Sequence, residues 1–69
     1  MDEKLIPSSI VELLKRNGPM KFAELHKKTK KNFSGFSEDH LNTLLMKMEI
    51  QGLVKVYRLP KDKRRVELA

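Results

Sequence analysis

The sequence has no cysteine and only two histidines, His26 and His40. Without thiols there is neither a disulfide nor a zinc–thiolate site, and two imidazoles alone do not complete a tetrahedral metal site. No cofactor or metal is expected. No stretch nears the roughly 20 consecutive apolar residues of a membrane-spanning helix. The N-terminus also lacks the apolar core of a secretory leader. A soluble, cytoplasmic protein with no membrane partner is therefore expected. The chain has no cysteine nucleophile, no glycine-rich phosphate loop and no evident pair of carboxylates in a pocket. Ser34-Gly35 stands outside any nucleophile-elbow motif. With 69 residues, the chain makes one domain, 1–69, with a thin core. Neither enzymatic activity nor a small-molecule substrate is expected.

What is abundant is positive charge. Fifteen lysines and arginines against nine acids give a formal net charge of +6. Residues 1–17 balance to zero, residues 18–36 carry +4, residues 37–52 carry −2 and residues 53–69 carry +4. The excess is held in two blocks rather than spread evenly. That distribution suits a polyanionic partner, of which nucleic acid is the commonest. A solvated lysine-rich surface is the plainer alternative.

Along the chain, residues 1–7 read as a loose lead-in. Ser9 and Glu12 have capping-box spacing, and Ile10, Leu13 and Leu14 follow at helical spacing. These features predict helix 1 over 8–17, ended by Asn17-Gly18-Pro19. Residues 20–30 predict helix 2, with Phe22, Leu25 and His26 on one face. Lys27, Lys28, Lys30 and Lys31 gather near its end, where cations suit the helix dipole. Phe33 and Phe36 are expected to plug the core beneath the following loop. Ser37 caps helix 3, predicted over 37–51. Glu38 and Asp39 lie in its first turn, and Leu41, Leu44, Leu45 and Met48 form its core stripe. Gly52 ends it, with Leu53 and Val54 expected to close the core. Residues 53–69 predict a hairpin, with Val54, Val56, Val66 and Leu68 inward and Pro60-Lys61-Asp62-Lys63 as its turn. Asp62 is a candidate brace for a neighbouring arginine. The fold class is α+β: three helices and a C-terminal β-hairpin.

The passage Leu41-x-x-Leu44-Leu45-x-x-Met48-Glu49-x-x-Gly52-Leu53-Val54, followed by Pro60-x-Asp62-x-Arg64-Arg65-x-x-x-Leu68, resembles the winged helix-turn-helix superfamily. It is similar to the helix-3-to-wing region of small bacterial and archaeal regulators, including repressors of the multiple-antibiotic-resistance type. The resemblance extends over about residues 8–69. It implies a cytoplasmic, nucleoid-associated protein that binds double-stranded DNA, as a transcriptional regulator or small chromatin-associated protein. Helix 3 would lie in the major groove and the hairpin wing on the backbone.

On that resemblance Lys61, Lys63, Arg64 and Arg65 are the wing's phosphate contacts. Lys27, Lys28, Lys30 and Lys31 form a second backbone cluster. Asn42, Thr43 and Lys47 are the candidate base-edge readers. A basic hairpin tip also serves solubility and blunts strand-edge pairing. Two features depart from the family pattern. The first turn of helix 3 is acidic. Met46 and Ile50, at 100° per residue, lie far from the core stripe. Exposed apolar residues at i, i+4 suit a homodimer seam or a protein partner. A protein-interaction module is therefore the second functional expectation.

Overall fold

A computed structural model describes residues 4–69 of the chain. In chain order it contains α1 (Leu5–Asn17), β1 (Met20–Lys21), α2 (Phe22–Asn32), α3 (Glu38–Ile50), β2 (Val54–Leu59) and β3 (Lys63–Leu68). The strands form one antiparallel sheet in the order β1-β3-β2. The class is α+β, with three helices and a C-terminal hairpin, as expected from the sequence.

Helix α1 begins three residues earlier than its capping signals suggest. Of the expected lead-in, residues 1–3 lie outside the described residues, and Leu5, Ile6 and Pro7 form the first helical turn. Ser9 is inside the helix and is not its cap; Lys4 occupies that position with no side-chain capping bond. The physical reason is burial. Ile6, Ile10 and Leu14 share the i, i+4, i+8 face and are all buried. Burying one isoleucine is worth about 1.5–3 kcal/mol, against about 1 kcal/mol for a serine cap. Pro7 does not interrupt this turn, because the N–H it lacks is one of the first four that have no intrahelical acceptor. Gly18 ends the helix at φ 74, ψ −160, and its N–H donates to the Leu14 carbonyl at 2.9 Å. That backbone region is essentially confined to glycine.

Helix α2, by contrast, starts two residues later than expected and ends two residues later, at Asn32. Met20 and Lys21 are extended and pair with Val66 and Arg65 of β3. A two-residue strand has no periodicity to read, so residues 20–30 appear as one helical segment in the sequence. Met20, Phe22 and Leu25 are buried, together with Thr29. Phe36 is buried and Phe33 packs against the core edge.

In α3, Ser37 accepts a hydrogen bond from the His40 N–H at 3.0 Å, the cap that the sequence leads one to expect. Leu41, Leu45 and Met48 are buried, and Leu44 packs at the core margin. At the other end the Gly52 N–H donates to Glu49 O and the Leu53 N–H to Met48 O. This paired closure needs the left-handed residue that Gly52 supplies at φ 78. Leu53 itself does not close the core: it is 45 % exposed. It precedes Val54, and side chains alternate on entering the strand, so burial of Val54 turns Leu53 outward.

The β2–β3 register pairs Val54 with Leu68, Val56 with Val66 and Arg58 with Arg64. These residues face the helices. Lys55, Tyr57, Arg65 and Glu67 form the outer face. Pro60, Lys61 and Asp62 make the turn between the paired residues Leu59 and Lys63. Lys61 and Asp62 both have positive φ, 64 and 59. Among the described residues no helix is long and apolar enough to cross a membrane.

Candidate nucleic-acid interface

The hairpin projects its basic residues in two directions. On the outer face, the Arg65 guanidinium lies over the Tyr57 ring at 5.6 Å. The Tyr57 hydroxyl bonds to Glu67, which holds the phenol above its ordinary pKa of 10.0. Arg65 is exposed but already has an aromatic neighbour, so this face is internally organised by cross-strand packing.

On the inner face, Arg64 is anchored. Its Nη1 donates to Asn42 Oδ1 of α3, and its guanidinium lies 3.9 Å from the Phe22 ring centroid at the start of α2. Both residues are half-buried. Two residues expected to contact DNA separately, Asn42 and Arg64, thus hold each other. Arg64 joins β3 to α3 and α2.

Opposite Arg64 in the register stands Arg58, which sequence reasoning missed. The available signal was the alternation Val54, Val56, Arg58, which continues the inward face past the core. Arg58 and Arg64 line a cleft of about 320 Å³ with Asn42, Met46, Glu49 and Val56. The Glu49 carboxylate is engaged there, since its Oε2 accepts from the Val56 N–H at 3.3 Å. Toward the turn, Arg58 and Arg64 also line a cleft of about 280 Å³ with Leu59, Asp62 and Lys63.

The second basic block lies alongside. Lys21, Phe22, Ala23, Glu38, Asp62, Lys63 and Arg64 share one cleft. The next is lined by Ala23, Glu24, Lys27, Lys28 and Lys31. A continuous surface therefore runs from the hairpin past the start of α2 to its lysines. Lys30 is exposed but lines neither cleft. Lys61 is exposed at the turn. Apart from any contact of Lys4, the ion pair present among the described residues is Lys15 with Glu12, at 3.9 Å. Among the described residues no ion pair therefore neutralises a hairpin cation, and the expected bracing of an arginine by Asp62 does not occur.

The rest of α3 is less suited to an anion. Thr43 and Lys47 are exposed, but they do not line the cleft with Arg58 and Arg64. Met46 and Ile50 are 57 % and 86 % exposed, as their distance from the core stripe predicts. His26 is a packing residue. It donates through Nε2 to the Phe36 carbonyl at 2.7 Å, and its ring stacks on Phe36, which also meets His40. No group of three or more potential metal-ligating His, Cys, Asp or Glu side chains occurs among the described residues.

No family model, no curated protein and no solved structure matches this chain. The functional reading therefore rests on this geometry and on the pattern of the sequence.

Proposed function

We propose that the chain is a winged-helix protein that binds double-stranded DNA, with the β2–β3 hairpin as its wing. In this reading it is cytoplasmic, associates with the nucleoid and acts as a transcriptional regulator or small chromatin-associated protein. One observation carries the proposal. The two +4 blocks of the sequence, remote along the chain, line adjoining clefts that meet at Ala23. Lys63 and Arg64 stand on one side, and Lys27, Lys28 and Lys31 on the other. Glu38 and Asp62 share the first cleft and Glu24 the second, but lysine and arginine outnumber them in each, three to two and three to one. A net positive surface with few internal ion pairs suits a phosphate backbone. Affinity comes from that surface, with Lys61 contributing at the hairpin turn and Arg65, on the outer face, adding only longer-range charge. Sequence preference from α3 is modest, because its first turn carries Glu38 and Asp39, and carboxylates repel phosphates. No catalytic role forms part of this reading.

The test is a titration against duplex DNA over a range of salt concentrations. Neutralising roughly four to six phosphates gives a slope of about −4 to −5 in log K against log salt. Affinity that stays flat between low and moderate salt overturns the proposal.

A second reading is a protein-interaction module, favoured by the exposure of Met46 and Ile50 on α3. Here the apolar pair would seat a partner or a second copy. Sedimentation of the wild type and of Ile50→Glu tests for self-association. A monomeric mass for both removes the homodimer.

A further inference from the structure

Arg58 and Arg64 are directly opposed across the hairpin and both face α3. Like charges in that relationship destabilise an antiparallel pair. Neither arginine has a carboxylate partner among the described residues, since Glu12–Lys15 is the ion pair present and Lys4 is the residue with further contacts. The nearby Glu49 uses one carboxylate oxygen on the Val56 N–H. Arg64 is also oriented in advance. Asn42 takes one Nη1 proton and Phe22 lies under the plane, which leaves the other donors of the guanidinium fork available in a fixed direction. Arg58, by contrast, is exposed and has no side-chain hydrogen bond or ion pair among the described residues.

We propose that Arg58 and Arg64 form a clamp for a single phosphate oxyanion, set on the inner face of the hairpin at the mouth of its cleft with α3. This rests on the DNA-binding reading and sharpens it. The phosphate is one of the duplex backbone, so the duplex is registered along the α3–hairpin cleft rather than across the outer face of Tyr57 and Arg65. Charge-assisted bidentate bonds suit this role, because a guanidinium fork matches two phosphate oxygens. Arg64 is the preset half and Arg58 the half that closes. The repulsion between them is relieved when the anion arrives.

The experiment compares Arg58→Gln with Lys55→Gln, an exposed cation on the outer face of the same strand. Both variants lose one charge, and neither disturbs the Arg64–Asn42 bond. Each is titrated with a short duplex across salt concentrations. In parallel, the arginine Nε–Hε signals of the wild type are followed by NMR as inorganic phosphate is added, with chloride as control. The clamp predicts a roughly tenfold loss of duplex affinity for Arg58→Gln. It also predicts a salt slope smaller by about 1, a clearly smaller loss for Lys55→Gln, and saturable phosphate shifts at Arg58 and Arg64. Duplex binding that weakens equally in both variants overturns the clamp and leaves the DNA reading standing. Saturable phosphate shifts without duplex binding overturn the DNA reading and leave a site for a small phosphorylated ligand. Absence of both overturns both.

Discussion

The Arg64 guanidinium donates to the Asn42 side-chain oxygen while lying over the Phe22 ring. One side chain thereby fixes the hairpin against the third helix and the start of the second. In the sequence Arg64 and Arg65 are adjacent and of one charge. In the fold they have opposite duties, one inward and anchored, the other outward on Tyr57.

Replacing the two arginines separates these duties. Arg64→Ala removes a charged hydrogen bond and a cation–π contact, and we expect a loss of about 1–2 kcal/mol in stability. Arg65→Ala should stay within about 0.5 kcal/mol of the wild type. Denaturant unfolding measures both. A double-mutant cycle with Asn42→Ala should give a coupling above about 0.5 kcal/mol. Equal stabilities for the two arginine variants would remove Arg64 as an anchor.

The start of α1 can be tested in the same way. Ile6 is fully buried, so Ile6→Ala should cost about 2–5 kcal/mol. That is a large fraction of the stability of a domain this small. Ser9→Ala should be close to neutral, because Ser9 sits inside the helix. If Ser9 were the cap, its replacement would cost about 1 kcal/mol. Thermal unfolding of the two variants distinguishes the helix observed from the one that capping alone suggests.

Thr29 is wholly buried and its hydroxyl has no hydrogen-bond partner among the described residues. Its desolvation is uncompensated. Thr29→Val keeps the shape and removes the stranded oxygen. We expect a gain of about 1 kcal/mol, which raises Tm by about 4–8 °C in a domain of this size. A lowered Tm would mean that the hydroxyl has a partner in solution.

Tyr57 is the one tyrosine of the chain, so its ionisation can be followed directly by ultraviolet absorbance. Its hydrogen bond to Glu67 raises its pKa above 10.0, with the Glu67 charge adding to the effect and Arg65 opposing it. A raised folded value means that the neutral phenol is the form favoured by folding. The contribution is fully present below the unfolded pKa and is lost as pH rises through the folded one. Glu67→Gln should move the midpoint down toward 10.0. A midpoint unchanged by that substitution would show that Glu67 does not hold the phenol.

Much of this architecture was legible in the sequence because it rests on local rules. The Ser37 cap, the Leu41/Leu45/Met48 stripe, the glycine closure at Gly52 and the alternation through Val54 and Val56 all appear where periodicity and backbone preference put them. The exposure of Met46 and Ile50 follows from the same helical angle. The two blocks of positive charge are likewise a property of the chain alone.

Other features were decided by contacts between remote segments. The first turn of α1 exists because Ile6 finds the core, which outweighs the local capping signal at Ser9. Met20 and Lys21 are a strand because β3 offers them partners, and two residues carry no period of their own. The pairing of Asn42 with Arg64, the opposition of Arg58 to Arg64, and the joining of the hairpin to the lysines of α2 depend on strand register and helix packing. Composition fixes how much charge the protein carries. Where two strands and two helices meet decides which of those charges are held in place and which stay free to meet an anion.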